Sequence, residues 1–169
     1  MRTCTRSPKS TSFLVLLMFP ILFMIGCDNS EDGEEDFSLN GTNIAMSDIA
    51  GDWNATRGVF VKNATGPEVS IDVVGEGGTI TLNIQATGRF TITVTPLGEP
   101  ADVTTGQMGF DEDLLVIIFD SDPEEFEFFS ITHNEPVLTI AGGNGAAEYD
   151  FDGDGLDEEA FVDFIFERI

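Results

Sequence analysis

The densest group of residues that could do chemistry lies near the C-terminal end of the chain. There Asp150, Asp152 and Asp154 occupy alternate positions, and Gly155 follows them directly. In a loop, acids at the first, third and fifth positions converge on one point, and Gly at the sixth allows a sharp turn. A hard cation held between these carboxylates would relieve their mutual repulsion. The spacing therefore predicts a calcium-binding loop.

Further donors complete only part of this loop. The Leu156 carbonyl falls at the seventh position and Glu158 at the ninth, where calcium loops of the EF-hand type carry ligands. The twelfth position is Phe161 instead of a bidentate Glu, and Glu159 could supply that acid in a shorter loop. We expect weak binding, with a dissociation constant of about 10⁻⁴–10⁻³ M. The alternative is a metal-free connection rich in Gly and Asp.

Residue patterns typical of enzymes are absent from the sequence. His133 is the only histidine and lies in a polar stretch, residues 132–135, where we expect a solvated turn. No Ser stands in a Gly-x-Ser-x-Gly elbow, and the many acids offer no distinct acid/base pair. The sequence thus predicts a protein that is not an enzyme.

The N-terminus has the pattern of a secretory signal. Residues 1–12 carry three basic residues and no acid, and residues 13–25 are apolar apart from Pro20. This run of 13 residues is shorter than the roughly 20 that a membrane-spanning helix needs. Residues 24–27, Met-Ile-Gly-Cys, resemble the bacterial lipoprotein processing box. We therefore expect residues 1–26 to be removed and Cys27 to be lipidated.

The remaining chain is strongly acidic. Residues 27–169 contain all 31 acids and four basic residues, which gives a formal charge of −27. This charge excludes nucleic acid as a partner, and it leaves the lipid as the attachment to a membrane. We expect a monomer on the bacterial cell envelope, at the outer membrane or cell surface in preference to the inner membrane. Residues 27–45 begin with many acids and few apolar residues, which predicts a flexible tether.

From residue 53 onward the apolar residues recur with a period of two. The clearest examples are Ile80, Leu82 and Ile84, and then Phe90 and Ile92 after a short Gly-containing turn. The pattern predicts eight or nine short strands without a convincing helix. Consecutive hairpins favour an all-β, antiparallel up-and-down barrel, because closure leaves no free edge. A β-sandwich is the alternative.

Several connections can also be placed from the sequence. Residues 96–105 contain two prolines and indicate a loop, and residues 122–124, Asp-Pro-Glu, indicate a type I turn. The alternation changes phase between Phe128 and Phe129, which predicts a β-bulge. Arg57 shares the face of Trp53 unless a bulge turns it outward, and we favour the bulge.

Gly51-Asp52-Trp53 at the first strand resembles the Gly-x-Trp signature of the lipocalins. Arg168, at the end of the last apolar run, lies where that family places an Arg over the Trp. The resemblance is to bacterial lipocalin-like lipoproteins and covers residues 46–169. It implies a barrel that is closed at one end by Gly51, Trp53 and Arg168. It also implies a small hydrophobic ligand inside.

The interior decides between two functions. Phe90, Phe126, Phe164 and Phe166 are expected to point inward and would tend to fill an eight-stranded barrel. A filled barrel would be a structural or interaction module with a calcium-stabilised hairpin loop. A cavity of about 300 Å³ or more would instead favour a ligand-binding protein.

Overall fold

The computed structural model of the protein describes residues 37–65 and 67–169. The predicted signal peptide, Cys27 and the tether before residue 37 lie outside the described residues. In the described part of the chain, no helix has both the length and the hydropathy that a membrane crossing requires.

The described chain forms one short helix, α1, and nine strands. Their bounds are α1 Met46–Ile49, β1 Gly51–Lys62, β2 Ser70–Asp72, β3 Thr79–Ile84, β4 Arg89–Thr95, β5 Asp102–Asp111, β6 Leu114–Phe119, β7 Asp122–Asn134, β8 Val137–Tyr149 and β9 Glu158–Arg168.

The strands close into an antiparallel barrel. From β3 to β9 each strand pairs with the next along the chain, and β1 pairs with both β3 and β9. The eight strands β1 and β3–β9 therefore form a closed up-and-down barrel, which confirms the predicted fold class over the sandwich. The short β2 pairs with the second half of β1, beyond its pairing with β3.

Two ends of the barrel can be distinguished. At the base, α1 lies beside the start of β1 and the end of β9, and Met46 and Ile49 are fully buried. The mouth includes the connections at residues 73–78, 96–101, 120–121 and 150–157. Inward side chains alternate with outward ones, as Ile80, Leu82 and Ile84 show on β3.

A bulge in β1 turns Arg57 outward, as the sequence analysis favoured. The register between β1 and β9 shifts between Ala55 and Arg57, so two consecutive residues face the solvent. Arg57 forms an ion pair with Asp163 on the outer wall.

Three strands are longer than predicted. β5 begins at Asp102, β7 includes Pro123 of the supposed type I turn, and β8 continues through a glycine-rich stretch to Tyr149. The turn before β7 lies at residues 120–121 instead. Arg89 makes two hydrogen bonds to Asp120 there and Thr105 donates a third, which lowers the pKa of that carboxyl to about 2.

The predicted bulge between Phe128 and Phe129 is wrong. The pairing of β7 with β6 is continuous through both residues, the pairing with β8 begins at Phe129, and the register shift lies between Ile117 and Phe119 of β6. From Glu127 to Asn134 one alternation therefore runs along β7, with Phe129 inward. As a result Phe126 and Phe128 face outward, 38% and 46% exposed, and Phe126 does not fill the interior.

Residues 37–45 lie against the barrel, although they were predicted to belong to the flexible tether. Phe37 packs edge-on against Phe126 at 5.2 Å between ring centroids, and it occupies the space above Gly109. The Phe110 amide donates to the Ser38 carbonyl at 2.7 Å. The outward phenylalanine of β7 gives this segment an apolar contact that its own composition did not reveal.

Candidate functional site

The base of the barrel is closed by Trp53 and Arg168. These residues pair directly across β1 and β9, and the guanidinium of Arg168 lies over the indole at 4.2 Å from its centroid. Trp53 is fully buried, and its Nε1 donates to the Ile49 carbonyl at 2.9 Å. Arg168 donates to the carbonyls of Ala50 and Asp48, both at 2.7 Å. The first and last strands are thereby joined to α1.

Gly51 leaves room for this arrangement. A Cβ atom built on Gly51 would lie 2.6 Å from Nη1 of Arg168, and the φ angle of 143° is one that other residues rarely adopt. The backbone conformation at position 51 therefore favours the glycine of the Gly-x-Trp pattern, and the close approach of Arg168 adds to that preference. The structure brings together all three residues predicted for barrel closure.

His133 is not a solvated turn residue. It lies on β7, its side chain is 15% exposed, and its ring meets Trp53 edge-on at 5.9 Å. Its Nε2 lies 2.9 Å from Glu135, which also accepts from Arg168 Nε at 2.9 Å. The Arg168 and His133 contacts lower the pKa of Glu135. His133 thus belongs to the closure of the base.

A cavity of about 1090 Å³ occupies the barrel. Every barrel strand contributes to its wall, and most of the inner side chains are apolar, for example Leu82, Met108, Ile117 and Ile140. Phe164 and Phe166 do point inward, but with Phe126 outside the phenylalanines do not fill the interior. The volume exceeds the 300 Å³ that separates the two functional hypotheses.

The polar side chains that line the cavity lie toward its mouth, and most of them are acids. Glu125 and Glu127 enter it from β7, on the same face as Phe129. Burial, and secondarily the charge of Glu125, raise the pKa of Glu127. Neither glutamate was predicted from the sequence, because the neighbouring Phe126 was assigned to the interior. The parity of Phe129, Ile131 and His133, extended backward, is the signal that would have found them.

The acidic loop after β8 has the predicted convergence in its first half. Carboxylate oxygens of Asp150, Asp152 and Asp154 lie within 4.8 Å of one another. Asp150 accepts the amides of Gly153, Asp154 and Gly155 at 2.7–3.2 Å. These bonds, that of Gly155 foremost, lower the pKa of Asp150 and keep it ionised.

The second half of the loop differs from the prediction. Glu158 forms an ion pair with Lys62 and accepts the Phe151 amide at 3.1 Å, and Glu159 accepts from Asn63 at 3.0 Å. Both glutamates lie at the start of β9, which pairs with β1 and so brings them beside Lys62 and Asn63. The Leu156 amide donates to Asp154 at 2.9 Å. Of the predicted acid ligands, only the three aspartates come together.

Comparison with known proteins adds no relative to this picture. No family model matches the chain, and no curated protein matches it.

We expect Arg168→Met to lower the free energy of unfolding by about 2–4 kcal/mol, because it removes a cation–π contact and hydrogen bonds to three groups. Urea unfolding followed by the fluorescence of Trp53, the only tryptophan, measures this change. The control is Arg89→Met, which breaks a half-exposed pair with Asp120 and should have a far smaller effect. Equal losses in the two variants would contradict the proposed importance of the base.

Proposed function

We propose that the protein is a lipid-anchored, lipocalin-like binding protein of the bacterial cell envelope, and that it holds a small hydrophobic ligand without catalysing a reaction. The observation that carries this proposal is the cavity of about 1090 Å³ inside the barrel. Binding cavities for small molecules are commonly about 300–1,000 Å³ and mostly apolar.

The two ends of the barrel support the same proposal. The base is sealed by Trp53, Met46 and Ile49, each fully buried, so a ligand would enter at the mouth. The likeness to lipocalin-like lipoproteins rests on Gly51, Trp53 and Arg168, and the φ angle of Gly51 beside the Arg168 guanidinium gives that pattern a physical reason.

Binding of the uncharged dye N-phenyl-1-naphthylamine tests the proposal. We expect a saturable rise in its fluorescence with the purified protein. Thr104→Trp should weaken binding about tenfold or more, because Thr104 lines the cavity and indole would occupy it. Val103→Trp is the control, since Val103 is 57% exposed on the outer wall of the same strand. Absence of dye binding to the unaltered protein would refute a hydrophobic ligand.

Attachment to the membrane is tested separately by acyl labelling in bacterial cells. Because a thiol must carry the diacylglycerol, Cys27→Ser should lose the label from an alkyne fatty acid and leave the membrane fraction. Cys4→Ser should keep both, since Cys4 lies within the predicted signal peptide. A Cys27→Ser protein that stays labelled would contradict the proposed anchor.

The alternative function is a structural or interaction module whose last hairpin loop binds calcium. It is favoured by the convergence of Asp150, Asp152 and Asp154. Because only three of the five predicted acids come together, we still expect weak calcium binding, with a dissociation constant of about 10⁻⁴–10⁻³ M.

A calcium titration of the melting temperature tests this alternative. At 5 mM calcium we expect about 1–2 kcal/mol of stabilisation, or about 3–8 °C. Asp152→Asn should abolish most of the rise. Asp157→Asn, which removes a charge from the same loop outside the triad, should retain it. A melting temperature that does not respond to calcium would exclude the site.

A further inference from the structure

The cavity combines an apolar interior with an entrance of one charge sign. Ten acids line it, and within the described chain its lining includes no lysine, arginine or histidine. The acids are Glu76, Glu99, Asp102, Asp122, Glu125, Glu127, Glu148, Asp150, Asp154 and Asp157. A concave surface lined by one sign of charge concentrates its field, so this entrance attracts cations and repels anions.

The basic residues of the described chain neutralise this entrance only slightly, because Lys62, which lies near Asp154, forms its ion pair with Glu158. Each of the four forms an ion pair with one acid that does not line the cavity. The pairs are Arg57 with Asp163, Lys62 with Glu158, Arg89 with Asp120, and Arg168 with Glu135. The cavity acids therefore have no ion-pair partner among the described basic residues, although Asp150 and Asp154 accept backbone amides within their own loop.

Glu127 is the acid that meets the apolar wall. It follows Glu125 and precedes Phe129 on the inward face of β7, and it is half-buried. Its raised pKa reflects burial first and the neighbouring Glu125 second. A cation beside these two carboxylates would relieve both the burial of charge and the repulsion between them.

Aromatic rings complete the upper part of the cavity. Tyr149 stacks on Phe60 at 4.7 Å between centroids, and both line the cavity. Burial raises the pKa of Tyr149, and the charges of Glu76, Asp150 and Glu99, which line the same cavity, raise it further. Aromatic faces next to carboxylates are suited to organic ammonium groups.

We infer that the cavity binds a cationic amphiphile, an apolar chain or ring system that carries an amine or quaternary ammonium group, with the cationic group beside Glu127 and Glu125. An inorganic cation would satisfy the acids and leave the apolar wall uncovered. A neutral or anionic amphiphile would cover the wall and leave the acids uncompensated. This inference rests on the proposed function, because it specifies the ligand of the same cavity.

Competition against N-phenyl-1-naphthylamine with three C12 amphiphiles tests the inference. The probes are dodecyltrimethylammonium, dodecanol and dodecanoate, each below its aggregation limit and at low salt. We expect the cation to bind about tenfold tighter than the alcohol, and the anion about tenfold weaker. The preference should shrink in 0.5 M NaCl, because the salt screens the acids at the mouth.

The substitution Glu127→Gln tests whether the cationic group lies beside Glu127. Its control is Glu124→Gln. Glu124 lies on the same strand, is exposed and does not line the cavity. Glu127→Gln should reduce the affinity for dodecyltrimethylammonium several-fold and leave that for dodecanol unchanged, whereas Glu124→Gln should change neither. Equal loss of the cation in both variants, or no loss in either, would overturn the placement.

The outcomes separate this inference from the proposed function. If the dye binds and the three amphiphiles displace it equally well, the cationic preference is refuted and the hydrophobic cavity stands. If neither the dye nor any amphiphile binds, both are refuted. A preference for the cation that is lost in Glu127→Gln and retained in Glu124→Gln supports the inference.

Discussion

The contact between Trp53 and Arg168 is the constraint on which the rest of the fold depends. It joins the first barrel strand to the last, and the ladder between β1 and β9 extends from this pair to Lys62 and Ala160. The same guanidinium binds the carbonyls of Asp48 and Ala50, so α1 is fixed under the barrel. A closed base is the condition for a cavity with a single approach, through the mouth.

Charged side chains are also distributed unevenly between the base and the mouth of the barrel. The outer wall and the base hold three of the described basic residues in ion pairs, and Lys62 pairs with Glu158 beside the acidic loop, whereas most acids that line the mouth have no basic partner. Repulsion between the acids is strongest where water is excluded. It therefore affects the half-buried Glu127 more than the acids at the rim. A protein with this arrangement is stable because the strand ladders and the apolar core outweigh that local repulsion.

The fold was predictable where the pattern is local. The strict alternation of β3 and β4 and the short turn between them gave both strands, and Gly51, Trp53 and Arg168 gave the closure. Predictions failed where a distant residue decides. Phe126 faces outward and packs against Phe37 from outside the barrel, and Glu158 pairs with Lys62 instead of joining the acidic loop. The full length of β8 was not predicted, because its glycines carry no side chains and so show no alternation in the sequence.

The attachment of residues 37–45 to the outer wall has a mechanical consequence. Phe37 contacts Phe126 of β7, and the Ser38 carbonyl bonds to β5, before the chain reaches α1 and β1. A pull on the N-terminus therefore acts first on these side contacts and not on the ladder between β1 and β9. The barrel is shielded from unzipping at its first strand until that segment has been detached.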